Sequence, residues 1–257
     1  MLGVFLPGLP HFLNQQNETI TQGRIIDNSL WSYEKKTKKS KRVKNYWRDL
    51  VVPITGTTVS EDEAAYNRVW YEVEGAGYVY SGSVQPVRAI LNEPQHISLA
   101  GALGEVSVPF TDAFLEADAN SDLLYRLYYE SAHWVKASAI HADGTIWYAL
   151  LDDKTGNYYY APGKHIRLIP NMELAPLSPG ILNEQKRVEV RLKDQLLLAF
   201  EKNQQVFATR VSTGGRLRSG TYTTPEGEYI TYHKRPTRNM ARGDLASSGF
   251  DLPSVPW

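Results

Sequence analysis

The 257-residue chain carries 28 basic and 28 acidic side chains, 16 tyrosines, 6 tryptophans, 14 prolines, 19 glycines and no cysteine. Balanced charge removes the bulk signature of a nucleic-acid partner. The lack of sulfhydryls removes disulfides, thiolate metal sites and a cysteine nucleophile, and no window reaches the roughly 18 apolar residues of a membrane span.

This composition predicts β-structure with many turns, in one large or two to three small domains. In chain order, residues 1–22 read as a tail. Leu2 to Leu13 is apolar but short, holds Pro7 and Pro10, and has no basic residue before it. A secretory signal has a charged lead and an unbroken apolar core, so a ragged start is the first reading and a signal remnant the second. Next, Lys35, Lys36, Lys38, Lys39, Lys41, Arg42, Lys44 and Arg48 fall within fourteen residues. Such a run contacts an anionic polymer or lipid headgroups, or is a solvated loop between two strands, which is the more common case. Beyond Tyr46 and Trp47 it contains no aromatic ladder for stacking bases.

An internal repeat follows. Val51-Val52-Pro53-Ile54-Thr55 is echoed by Ser107-Val108-Pro109-Phe110-Thr111, and Trp70-Tyr71 by Trp147-Tyr148. Gly77-Tyr78-Val79-Tyr80 is echoed by Asn157-Tyr158-Tyr159-Tyr160, and Gln85-Pro86-Val87-Arg88 by His165-Ile166-Arg167-Leu168. The second copy has a longer hairpin tip at Asp152-Asp153-Lys154-Thr155-Gly156. Two copies of a small unit are expected, not a solenoid. A Trp-Tyr strand, a tight turn and an aromatic strand resemble a bacterial SH3-like barrel, over 23–90 and again over 104–170. Trp70 and Trp147 are expected in the cores, because small barrels fill their interiors with large aromatics. Tyr78, Tyr80, Tyr158, Tyr159 and Tyr160 cannot all share one face, and an outward row would stack on sugar or peptide. Leu91 to Gly104 reads as a linker, and 171–185 as a proline-rich one that stiffens the connection.

Asp118-Ala119-Asn120-Ser121-Asp122 opens like a calcium loop. The sixth and twelfth positions hold Leu123 and Tyr129 instead of glycine and glutamate, so a turn or cap role is expected and no metal. His11, His96, His133, His141, His165 and His233 lack zinc spacing. His165, in a repeat position, is expected to be structural. No nucleophile elbow, phosphate loop or dinucleotide fingerprint occurs, so no cofactor is expected.

In the last segment Val188, Val190 and Leu192 alternate, then Leu196, Leu198 and Phe200, then Val206 to Val211. This predicts an antiparallel meander with one buried face. Gly214 and Gly215 are expected at positive φ, and Pro225 with Gly227 in a turn before a strand from Tyr229 to His233. Gln195-Leu196-Leu197-Leu198-Ala199-Phe200-Glu201, then Val211-Ser212-Thr213-Gly214, then Thr224-Pro225-Glu226-Gly227, resemble the opening half of an L,D-transpeptidase catalytic domain. Tyr232-His233-Lys234-Arg235-Pro236, Met240, Gly243-Asp244 and Phe250 to Trp257 are similar to members of that family too. The resemblance implies peptidoglycan cross-linking by a cysteine in a later Ser-His-Gly-Cys stretch, preceded by a His-Gly segment. The sequence stops at Trp257, short of both.

The expectation is therefore all-β. Two SH3-like barrels, 23–90 and 104–170, precede an incomplete L,D-transpeptidase β-sandwich over 186–257. No catalytic residue is assigned: Ser212 and Thr213 read as strand-closing residues, because a hydroxyl nucleophile needs a base. His233 does not inherit the family's histidine role. Tyr232, Met240, Phe250 and Trp257 are candidate walls of a substrate groove. The resemblance implies peptidoglycan stem peptides or glycan as partners, and an extracytoplasmic place in the cell envelope or periplasm. It leaves three readings: a truncated or split enzyme inactive alone, a non-catalytic wall-binding protein, and a hydrolase with a hydroxyl nucleophile. An incomplete sheet is expected to self-associate through its open edges.

Overall fold

The computed structural model describes residues 20–65, 67–217, 220–221, 223–231, 234–242 and 250–256, with backbone alone for 216–217, 220–221, 238–242 and 250–256. The described fold is all-β, as expected, with short 3-10 turns as its helical residues. Contacts divide it into two compact units, residues 20–170 with 235–256, and residues 171–234.

The larger unit holds the repeat. Its first copy is β1 (Gln22–Ile25), β2 (Ser29–Tyr33), β3 (Arg42–Trp47), β4 (Val51–Val59), β5 (Val69–Val73), β6 (Gly77–Tyr80) and β7 (Val84–Pro86). The second is β8 (Ala102–Val106), β9 (Phe110–Phe114), β10 (Leu123–Tyr128), β11 (Ala132–Ile140), β12 (Ile146–Leu151), β13 (Tyr158–Pro162) and β14 (Ile166–Leu168). The sheet orders are β3-β2-β6-β5-β4-β1-β7 and β10-β9-β13-β12-β11-β8-β14, the same permutation twice. Each order runs between two edge strands without closing into a ring. Strand β4 is shared by two halves: Val51–Pro53 pair with β1, and Ile54–Val59 with β5 across a register shift. Strand β11 does the same, with Ala132–Val135 on β8 and Val135–Ile140 on β12.

Backbone bonds fix the correspondence over the first half of each copy. Ile25 N–H donates to Leu50 O and Asp49 N–H to Ile25 O. Val106 N–H donates to Ser131 O and Glu130 N–H to Val106 O, all 81 positions later. Asp49 and Glu130 share the left-handed conformation, at φ 67° and 63°. Further on, the structure shifts the aromatic echo. Trp70 pairs with Tyr80, and Trp147 with Pro162. Gly77–Tyr80 thus corresponds to Tyr159–Pro162, two residues beyond the match that the aromatics suggest. A two-residue slip leaves every side chain on its own face, so the tyrosine pattern cannot reveal it.

Each sheet encloses its own apolar core. Ile25, Tyr46, Val52, Ile54, Tyr71, Val73, Val79 and Val84 fill the first, and Val106, Leu127, Val135, Tyr148, Leu150, Tyr159 and Ile166 the second. Each such burial contributes about 1.5–3 kcal/mol. Gly23 and Gly104 occupy equivalent places where strands cross. A β-carbon on Gly23 would run into Val84 and Ile54, and one on Gly104 into Ile166 and Val135. Trp70 and Trp147 are buried, as expected, with edge-on contacts to Tyr33 and Tyr80, and to Phe114.

Residues 91–104 do more than connect. Asn92 Nδ2 donates to Ser107 Oγ at 2.7 Å, Gln95 N–H donates to the Tyr148 hydroxyl at 2.7 Å, and Ile97 joins the second core. The copies also meet through side chains. Arg24 donates to Asp49 at 2.6 Å and lies 4.1 Å from the Tyr128 ring centre, Arg126 reaches the other Asp49 oxygen at 3.0 Å, and Gln85 Nε2 donates to Tyr129 O at 3.4 Å. The hairpin β20 (Thr237–Arg242) and β21 (Phe250–Pro256) lies against β11.

In the smaller unit, β15 (Lys186–Arg191), β16 (Leu196–Glu201) and β17 (Gln204–Arg210) form the expected meander. Its faces differ from the expectation. The four-residue turn 192–195 sets Val188 opposite Ala199 and Glu189 opposite Leu198. The valines and the Leu196-Leu198-Phe200 series therefore lie on opposite faces. Leu198 is buried, while Val188 is 61% and Phe207 55% exposed. Gly214 has φ 81° as expected, whereas Gly215 does not take positive φ. Residues 229–231 form no strand, and Tyr229 and Ile230 are exposed. β18 (Arg216–Leu217) and β19 (Gly220–Thr221) form a further small ladder.

Candidate functional site

The segment 211–215 is built from two directions. Gln195 closes the β15–β16 turn in the left-handed region, at φ 54°. That conformation turns its side chain back toward the end of β17. Its Oε1 accepts the Thr213 N–H at 2.9 Å, and its Nε2 donates to Leu192 O at 2.6 Å and to the Thr213 hydroxyl. On the other side, Thr224 N–H donates to Thr213 O at 3.1 Å and the Thr224 hydroxyl donates to the same oxygen. Thr213 is buried with its backbone N–H, carbonyl and hydroxyl all engaged. Ser212 and Gly214 beside it are exposed. The clamp thus presents a short, fixed stretch of backbone at the surface.

Neither hydroxyl here meets a base among the described residues. Thr213 Oγ1 meets an amide, which cannot take its proton. Among the described residues, no imidazole or carboxylate makes a hydrogen bond to Ser212. A hydroxyl–imidazole couple does occur elsewhere, in the second repeat. Ser131 Oγ lies 2.8 Å from His133 Nε2, and His133 Nδ1 lies 3.0 Å from the Tyr159 hydroxyl. Because Ser131 donates its own proton to Tyr128 O at 2.6 Å, it accepts from Nε2–H, which leaves Nδ1 to accept from Tyr159. His133 is wholly buried, and burial pushes its pKa down to about 3. The triad is a satisfied core network closed to substrate. His165 also proves structural in its contacts: its Nδ1 lies 2.8 Å from the buried Thr111 hydroxyl, and burial lowers its pKa.

A cleft of about 420 Å³ in the smaller unit is lined by Glu184, Gln185, Arg187, Phe200, Lys202 and Asn203. Arg187 stacks over Phe200 at 4.1 Å while bonding Glu189 at 2.9 Å. Among the described residues no group of three or more histidines and carboxylates could hold a metal. Asp118 accepts the Asn120 N–H at 2.9 Å, a turn role.

Of the four groove-wall candidates, Tyr232 and Trp257 lie outside the described residues, as does His233. Met240 stands opposite Leu252, and Phe250 opposite Arg242, in the β20–β21 hairpin. The tyrosine row does not form. Tyr158 is 47% exposed, Tyr159 is buried, and Tyr78, Tyr80 and Tyr160 are half-buried. The Gln195 clamp was missed in the sequence. Gln195 heads the segment that carries the family resemblance, but no local pattern in the sequence pairs it with Thr213.

Residues 185–252 match the model of YkuD, the L,D-transpeptidase catalytic domain. The match includes the clamp and both strands of the β20–β21 hairpin through residue 252. It supports an L,D-transpeptidase-like segment in this chain, of a family that acts on peptidoglycan outside the cytoplasm. No curated protein matches the chain. Among solved structures, NlpC2 from Trichomonas vaginalis is similar over 59% of this chain and 49% of its own, at 13% identity and a TM-score of 0.21. The chain spans about half the length of that protein. No helix among the described residues is long and apolar enough to cross a membrane.

Proposed function

We propose that the chain is an L,D-transpeptidase-like protein of peptidoglycan cross-linking and cell-wall biogenesis, in the cell envelope or periplasm. Residues 23–90 and 104–170 serve as SH3-like repeats, 171–185 as a linker, and 186–257 as the opening part of the catalytic domain. The observation that carries this is the coincidence of the 185–252 family match with the Gln195–Thr213 clamp. The family's reaction makes a thioester: a thiolate attacks a stem-peptide carbonyl, a histidine takes the thiol proton, and backbone amides hold the oxyanion. These 257 residues contain no cysteine. Alone they form no thioester and contribute the sheet and part of the groove. Tyr232, Met240, Phe250 and Trp257 are assigned to its walls.

A second reading, a non-catalytic wall-binding protein acting through its repeats, is favoured by Trp47, which stands 64% exposed on the first repeat. The exposed Val188, Val190 and Phe207 face of the meander supports self-association. Sedimentation of the full chain with insoluble peptidoglycan tests both readings. Retention that free stem tetrapeptide competes away supports the first, and retention indifferent to it supports the second. No retention removes both.

A further inference from the structure

The two repeats place the same hairpin tip in the same turn, yet with opposite charge. Between β2 and β3, Glu34 N–H donates to Lys41 O, Ser40 N–H to Thr37 O, and Lys35 N–H to Ser40 Oγ at 3.1 Å. Between β9 and β10, Leu115 N–H donates to Asp122 O, Ser121 N–H to Asp118 O, and Glu116 N–H to Ser121 Oγ at 3.1 Å. The backbone is therefore indifferent to charge, and the side chains are free to serve another end. Residues 35–48 carry eight cations and no acid, whereas the matching residues 116–129 carry Glu116, Asp118, Asp122 and the single cation Arg126.

Part of the basic set is used within the fold. Lys36 Nζ donates to Val59 O at 3.1 Å, Lys38 sits over Tyr80 at 4.5 Å, and Arg42 over Trp31 at 5.2 Å. Lys35, Lys39, Lys41 and Arg48 are exposed and make no ion pair among the described residues. They run from the tip past the edge strand β3, whose six residues extend about 20 Å at ~3.3 Å each. Arg42, Asn45 and Trp47 share one face of that edge, because a register shift sets Arg42 opposite Tyr33 and Asn45 opposite Trp31 of β2. Trp47 is 64% exposed. In the second repeat the place of Trp47 is taken by Tyr128, which is half-buried with Arg24 over its ring.

We infer that the β2–β3 hairpin of the first repeat is a binding track for a linear anionic glycan. The lysines meet its acidic groups and Trp47 stacks on its sugar rings. A line of cations along one strand edge suits an extended chain better than a plane of lipid headgroups. The inference does not depend on the catalytic reading, because it concerns another unit and another ligand.

Heparin, a linear sulfated glycan, is the probe, tested against the full chain by titration across a salt series. The informative variant is Lys35→Glu with Lys39→Asn and Lys41→Asp, which copies the second repeat's residues into the turn that already holds them there. The expected result is heparin binding that weakens with salt, about a hundredfold weaker in this variant and about tenfold weaker in Trp47→Ala. Thermal unfolding of both variants should stay near that of the parent chain. Absence of heparin binding, or binding that the triple variant leaves unchanged, overturns the inference. Vesicles of phosphatidylglycerol and phosphatidylcholine form the second arm. Lysine-dependent vesicle binding as tight as heparin binding, unaffected by Trp47→Ala, assigns the track to a membrane surface and also overturns it.

Discussion

Gln195 grips Thr213 with both ends of its side-chain amide, accepting the backbone N–H at 2.9 Å and donating to the hydroxyl. One residue thereby ties the turn before β16 to the chain that leaves β17, across 18 positions of sequence. Loss of this clamp leaves a buried N–H unsatisfied, at a cost of about 1–3 kcal/mol. Gln195→Ala should destabilise by that amount in urea unfolding and speed amide exchange at Thr213. Gln195→Asn separates the causes, since asparagine tolerates the left-handed region but is one carbon too short. It should be nearly as harmful as alanine. If it is harmless, backbone conformation and not the clamp is what Gln195 supplies.

Asp49 anchors the contact between the repeats, and its two arginines are unequal. The Arg24 and Asp49 side chains are 8% and 11% exposed, while Arg126 is 37% exposed and shared with Asp112. Asp49→Asn keeps the positive φ but leaves the buried Arg24 guanidinium, still bonded to Gln85, without its counter-charge, and should cost about 3 kcal/mol in thermal or urea unfolding. Arg126→Gln should cost about 1 kcal/mol or less. Equal losses would mean that Arg24 does not depend on Asp49.

His133 makes the second repeat acid-sensitive. It stays neutral in the fold because burial lowers its pKa to about 3, while the unfolded chain titrates near 6.5. Below 6.5 the unfolded state binds the extra proton, so its stabilising share is complete above that pH and is lost progressively down to about 3. The slope is bounded by about 1.4 kcal/mol per pH unit. Melting temperature measured from pH 7 to pH 4 should fall, and His133→Gln should flatten the fall. A variant with the parent's slope would place the acid sensitivity elsewhere.

Gly23 and Gly104 test the repeat at the level of packing. Both lie where a β-carbon would collide with two β-branched or aliphatic neighbours. Gly23→Ala and Gly104→Ala should each destabilise by about 1–3 kcal/mol in urea. A neutral Gly104→Ala would show that β8 and β14 can separate where β1 and β7 cannot.

What could be read from the sequence was set by periodicity. The three strands of the meander, the all-β class and the buried Trp70 and Trp147 follow from alternation and aromatic content. Parity could not be read, because whether Val188 shares a face with Leu198 depends on the length of the 192–195 turn. The offset of the repeats was hidden for the same reason, since tyrosines spaced by two match equally well after a two-residue slip. The clamp and the Arg24–Asp49–Arg126 contact join residues far apart in sequence, with no local pattern to mark them. The opposed charges of the two hairpin tips were visible in the residues, but their equivalence was not until the backbone bonds aligned them.

We propose that the 185–252 segment offers a stem-peptide groove without a covalent step of its own. Intact-mass spectrometry of the full chain incubated with a disaccharide tetrapeptide, paired with amide-exchange mapping, tests it directly. The account predicts slowed exchange around Gln195 and Thr213 with no change in protein mass. A covalent adduct, mapped to Ser212 or any other hydroxyl, would contradict it, and so would the absence of any protection.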